Sequence, residues 1–168
     1  MTGSVTMERI KLLHPKLRDE VFDLYTDIIS RLIGKSKCRF THTLRTFAEQ
    51  EALYQQGRSK SGKIVTNSRA GRSYHNYGLA IDIVLLLDRD GDGKYTEVSW
   101  DTKSDFDADG IADWMEVVKV FKDYGWEWGG DWRFYDGPHF QKTLGFSIAQ
   151  LLKLHTTGKV DKNGYVLI

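Results

Sequence analysis

The run Leu79-Ala80-Ile81-Asp82-Ile83-Val84-Leu85-Leu86-Leu87 constrains this chain more than any other stretch. Almost wholly apolar and rich in β-branched residues, it predicts a buried strand. Asp82 stands inside it. A carboxylate in such a place is costly unless it is paired, hydrogen-bonded or bound to a metal. What can satisfy Asp82 is therefore the first question the sequence raises.

Two histidines answer it. His75 precedes the strand, and Gly78 between them allows a sharp turn that folds the imidazole back toward the carboxylate. Neutral imidazole nitrogen with carboxylate oxygen is zinc chemistry. A third donor must come from elsewhere, and His139 in Asp136-Gly137-Pro138-His139-Phe140 is the candidate. Pro138 prevents a regular helix there and pushes Gly137 toward an extended conformation. Two histidines and one carboxylate leave the fourth tetrahedral position to water, as catalytic zinc requires. Asp136 is placed to act as acid and base beside such a water without being a ligand. Arg45 is the candidate cation for a developing oxyanion. Taken singly, each has a plain structural reading: a core histidine, a carboxylate bonded to backbone amides, an Asp-Gly turn. His14, His42 and His155 read as ordinary, and the lone Cys38 as a small buried hydrophobe.

The rest of the chain frames these residues in an α+β pattern with an antiparallel sheet. Apolar spacing predicts helices over Lys16–Ile33, Thr46–Gln56, Asp113–Tyr124 and Ser147–His155. Thr46 and Glu49 form a capping-box pattern. Strands are expected over Cys38–Leu44, Leu79–Leu87, Trp126–Trp128 and His139–Gln141, with short strand candidates around an Asn163-Gly164 turn. Arg58–Arg72 reads as a mobile loop. The 168 residues suit one domain, and a formal charge of +1 gives no nucleic-acid footprint. Met1–Ile10 carries no apolar signal core, and no stretch is long enough to span a membrane. Cytoplasmic synthesis is expected, with release by lysis or a dedicated secretion route. A monomer is expected.

The pattern Ser-x-His-x-x-Gly-x-Ala-x-Asp, filled by Ser73, His75, Gly78, Ala80 and Asp82, with a later Asp-x-x-His filled by Asp136 and His139, resembles the LAS family of zinc peptidases. That family contains D-alanyl-D-alanine carboxypeptidases of the VanY and VanX kind and endolysins that cut the L-alanyl-D-glutamate bond of peptidoglycan. Trp126-Glu127-Trp128-Gly129-Gly130-Asp131-Trp132 ahead of Asp136-Gly137-Pro138-His139-Phe140 is similar to the endopeptidase branch. So is Leu44-Arg45-Thr46 with Glu49, Gln50 and Gly57. The resemblance covers about residues 40 to 142. It implies a small Hedgehog/DD-peptidase-type domain with His75, Asp82 and His139 on zinc, Asp136 as acid/base and Arg45 on the substrate carbonyl. Ser73, Gln50, Trp128 and Asp131 would orient ligands or substrate, Asp131 being a weaker alternative for the base.

Asp105 to Glu116 matches a twelve-residue EF-hand calcium loop. Asp105, Asp107, Asp109, Asp113 and Glu116 fall at positions 1, 3, 5, 9 and 12, with Gly110 at 6 and the Ile111 carbonyl at 7. Asp88-Arg89-Asp90-Gly91-Asp92-Gly93 is a weaker echo, with Ser99 where a bidentate carboxylate belongs. The alternative is an acid-rich solvated loop whose Asp113 helps cap a helix. The expected function is thus a zinc endopeptidase of stem peptides, with an acidic insertion over 88–116. A D-alanyl-D-alanine carboxypeptidase is the enzymatic alternative. A non-catalytic calcium- or wall-binding module is the alternative of another class.

Overall fold

The computed structural model describes residues 2–168, with side chains from residue 4 onward. Its sheet is built around β2 (Ala80–Leu87). β1 (Ser36–His42) pairs antiparallel along one edge of β2. The other edge is shared by β5 (His139–Gln141) and β3 (Glu97–Ser99), also antiparallel. β4 (Glu127–Trp128) extends the sheet beyond β5. β2 is thus interior over most of its length, in keeping with a sequence that is apolar on both faces.

Five α-helices are described: α1 (Thr2–Lys11), α2 (Arg18–Arg31), α3 (Phe47–Gln55), α4 (Asp113–Asp123) and α5 (Ile148–Thr156). Ile81, Ile83, Leu85, Phe40 and Phe140 lie fully buried with Val21, Leu24 and Ile28 of α2 and Trp114, Val117 and Phe121 of α4 in one core. Phe121 stacks on Phe140 at 3.9 Å between ring centroids, tying α4 to β5. Thr46 caps α3 as its spacing predicted: its hydroxyl accepts from Glu49 N, and Glu49 Oε2 accepts from Thr46 N.

Several expectations change in detail. The helix expected over Lys16–Ile33 starts with a tight turn at Pro15–Leu17 and ends at Arg31, leaving Ile29 exposed. Pattern alone assigns no element to α1 or β3. α1 docks through Thr6, whose hydroxyl accepts from Phe40 N next to the irregular pairing of β1 at Phe40/His42. A helix anchored by a buried threonine has little apolar periodicity to reveal it. The tail forms only a bridge between Val160 and Val166 around its turn, not two strands. Among the described residues no helix is long and apolar enough to cross a membrane.

Candidate metal centre

Sheet register sets the centre. Asp82 lies opposite His139 of β5 on one side and His42 of β1 on the other. Directly opposed residues of antiparallel strands share a face, so strand pairing alone brings His139 to Asp82. His139 Nδ1 lies 3.2 Å from Asp82 Oδ1.

His75 arrives from a tight turn at Tyr74–Tyr77. Ser73 caps that turn: its hydroxyl accepts from His75 N, while Ser73 N donates to Asn76 Oδ1. Gly78 ends it in the left-handed region at φ 68°, where a Cβ would also meet His14 N at 2.6 Å. Only glycine fits both conditions. The turn delivers His75 Nε2 to 3.1 Å from Asp82 Oδ1.

The outward nitrogens of both rings fix the chemistry of the inward ones. His75 Nδ1 is 2.8 Å from the carbonyl of Thr43, which can only accept, so Nδ1 carries the proton. Gln141 Nε2 donates to Glu127 Oε2 at 3.1 Å. That leaves Gln141 Oε1 to accept from His139 Nε2, also at 3.1 Å. With these neutral tautomers, two imidazole lone pairs face one half-buried carboxylate oxygen, an arrangement that a shared cation resolves. The three donor atoms lie within 4.8 Å of one another. Donors bound at zinc distances of about 2.0–2.1 Å stand about 3.3–3.4 Å apart on a tetrahedron, close to the 3.1 and 3.2 Å found here. The residues fit the metal.

Burial alone would push the Asp82 carboxyl up, but His75 and His139 hold it well below the usual carboxylate range. Burial lowers the affinity of His139 for a proton. The hydrogen bond and charge of Asp82 outweigh that and raise it. A metal competes for the same lone pair.

The centre opens into a cleft of about 670 Å³ lined by Arg45, Trp132, Asp136 and Arg72, among others. Asp136 is a wall residue whose carboxyl is raised by burial, with His139 opposing and Asp82 reinforcing the shift. Its loop is fastened at three points: Asp136 N to Gly129 O, His139 N to Asp136 O, and Trp128 Nε1 to Gly137 O at 2.7 Å. Arg45 places Nη2 3.5 Å from Asp82 Oδ2 and Nη1 3.0 Å from Gln50 Oε1. Gln50 is fully buried and donates to Ser68 O, so it ties the arginine to the loop over Arg58–Arg72.

Of the supporting residues, Ser73 and Gln50 thus act on His75 and on Arg45. Trp128 lies under the Asp136 loop, and the ring beside His139 is Trp132, with centroids 5.2 Å apart. Asp131 is not at the site. It turns outward into an ion pair with Lys122 at 2.6 Å, because the short turn Gly129–Asp131 aims its side chain toward α4. Sequence reasoning missed Thr43, Glu127 and Gln141. Gln141 had a signal, since it stands two residues past His139 on the same face of a strand. The acidic insertion brings Asp105, Asp107 and Asp113 together, and Asp107, Asp109 and Glu116. Asp88, Asp90 and Asp92 also converge.

Residues 66–142 match the family described as D-alanyl-D-alanine carboxypeptidase. The match takes in the segment that carries His75, Asp82, Asp136 and His139. The chain is 51% identical over 102 residues to the peptidoglycan L-alanyl-D-glutamate endopeptidase CwlK of Bacillus subtilis, covering 60% of this chain and 58% of that relative. It thus spans somewhat over half the length of that protein. The crystal structure of the Serratia marcescens L-Ala D-Glu endopeptidase ChiX superposes with a TM-score of 0.54 at 25% identity, covering 86% of this chain and 90% of that one. The expected α+β fold, an antiparallel sheet with flanking helices, is the fold observed.

Proposed function

We propose that this chain is a zinc peptidase that hydrolyses peptidoglycan stem peptides at the L-alanyl-D-glutamate bond. The observation that carries the reading is the convergence of His75, Asp82 and His139 at the floor of a cleft whose wall holds Asp136 and Arg45. The similarity to two L-alanyl-D-glutamate endopeptidases supports the choice of bond. In this reading residues 1–168 form one peptidase domain, with 88–116 as an insertion. It works on the wall, outside the compartment of synthesis, as a monomer.

Zinc, when bound, supplies a Lewis acid and lowers the pKa of a coordinated water. The chain's own residues do the rest. The neutral tautomers set by Thr43 and by Gln141 keep His75 Nε2 and His139 Nδ1 available as ligands. Arg45 offsets the second oxygen of Asp82 and offers positive charge to the scissile carbonyl. The Asp136 carboxylate accepts the proton of the attacking water and returns it to the leaving amine. Its partly desolvated setting raises its basicity toward that task.

Digestion of purified muropeptides, with and without a zinc chelator, tests the reading by product mass. Release of peptide beginning at D-glutamate, abolished by chelation, is expected. Loss of a single terminal D-alanine would assign a carboxypeptidase instead. Asp136→Ala should lower turnover by about 10²–10⁴-fold with zinc content unchanged. Parent-like turnover would favour a binding module over an enzyme.

A further inference from the structure

The acidic insertion contains carboxylates that the peptidase chemistry does not use and that the protein leaves unsatisfied. Glu116, in the first turn of α4, is 6% exposed. Its Oε2 has no contact with solvent and no hydrogen-bond partner among the described residues. The same holds for Asp107 Oδ2. Both belong to a group with Asp109 whose carboxylate oxygens lie within 4.8 Å of one another. Burial and the charges of Asp109, Asp107 and Asp113 push the Glu116 carboxyl up to about 7, and Arg31 acts more weakly than any of them. A buried, unpartnered carboxylate beside others is among the costliest arrangements a fold can hold without a counter-ion.

We propose that Asp105 to Glu116 binds one calcium ion, held by the carboxylates of Asp107, Asp109 and Glu116 with the main-chain carbonyl of Ile111. All these donors are oxygens, which suits a hard cation rather than the zinc of the cleft. Glu116 comes from α4 and the aspartates from the loop before it, so one ion joins two elements. Asp113 has a different part from the one its position suggested. It is fully buried, Oδ1 accepts from Phe106 N at 2.7 Å, and Oδ2 accepts from the Ser36 hydroxyl. Both oxygens are taken, so Asp113 binds the loop to β1; Asp105 likewise accepts from Ala108 N and Gly110 N and shapes the loop, which leaves Asp107, Asp109 and Glu116 for the ion. In the weaker loop, Asp88 is already satisfied by Gly91 N and Gly93 N, and Ser99 supplies no carboxylate. That loop gives no comparable unpartnered group. The ion would fasten the insertion to α4, whose Trp114 and Phe121 are core residues, and so act on stability rather than on bond cleavage.

Calorimetric titration of the zinc-loaded full chain with calcium chloride, in buffer freed of calcium on a chelating resin, tests this together with thermal melts. One ion per chain is expected, with Tm raised by about 5–10 °C at calcium a hundredfold above Kd. Glu116→Gln should weaken binding at least tenfold and remove most of the Tm rise. Asp109→Asn, at an exposed position whose change does not threaten folding, should do the same. Asp90→Asn should change neither. Absence of heat and of a Tm shift up to ~10 mM calcium, beyond the weakest extracellular sites, would overturn the proposal. So would parent-like binding by Asp109→Asn, or loss of binding in Asp90→Asn. Neither readout involves peptidase turnover, so failure here leaves the peptidase reading untouched.

Discussion

Gly129→Ala is the perturbation that most directly tests how the Asp136 loop is held. Gly129 is buried, and its φ lies outside the left-handed region, so alanine is compatible with the backbone itself. Space is the obstacle: a Cβ there would stand 3.1 Å from Asp136 Cβ and closer still to the Asp136 carbonyl oxygen. Ordinary contacts between such atoms lie at about 3.5–4.0 Å, so the carbonyl must retreat by roughly 1 Å. It cannot do so freely, since Asp136 N donates to Gly129 O at 2.9 Å and Trp128 Nε1 holds Gly137 O. The loop shifts as a unit and takes the Asp136 carboxylate with it. A misplacement of about 1 Å in a reacting group costs on the order of 10²-fold in rate. Steady-state kinetics on purified muropeptides should therefore show kcat down about a hundredfold. Zinc content should hold, because His75 and Asp82 lie on other elements and β5 remains paired to β2. Turnover within twofold of the parent, in a variant of unchanged Tm, would refute the claim that this close approach positions the acid/base.

Two further outcomes follow from other parts of the molecule. Gln141→Leu removes the acceptor that fixes the His139 tautomer and strands Glu127; zinc affinity should fall about 10–100-fold, read by competition with a fluorescent chelator. His14 is 4% exposed, donates Nε2–H to Val166 O and accepts at Nδ1 from Lys16 N, so it is held neutral. Burial lowers its pKa, with Val166 and Asp161 opposing and Lys16 and Arg18 reinforcing, while the Tyr165 ring packs edge-on. A depressed folded pKa means the unfolded chain takes up the proton first as pH falls. The stability from neutral His14 is therefore whole above about pH 6.5 and lost below it. In urea melts between pH 6.5 and 5, His14→Gln should flatten the pH dependence by up to about 1.4 kcal/mol per pH unit; equal slopes in variant and parent would contradict this.

What the sequence made legible were features whose physics is local or categorical. An aspartate in an apolar strand demands a partner, and Ser73 through Gly78 spell out a capped turn that can supply one. The Thr46–Glu49 box marks the start of α3 because side chain and backbone satisfy each other within four residues. Asp131 lies away from the site for the opposite reason. Where its side chain points depends on a tight turn and on Lys122, which spacing along the chain does not encode. The same holds for Thr43, whose part is played by a carbonyl that any residue could offer.

Glu127 and Gln141 show how such hidden roles connect. Neither is a ligand. Glu127 faces Gln141 across the β4–β5 pairing, and Gln141 shares its strand with His139, which β5 sets opposite Asp82. One sheet register therefore fixes both the meeting of His139 with Asp82 and the proton arrangement on the His139 ring. A one-residue slip of β5 would turn His139 to the other face and abolish both together. The short strand pair β4–β5 is thus less a structural edge than the part of the sheet that sets the chemistry of the centre.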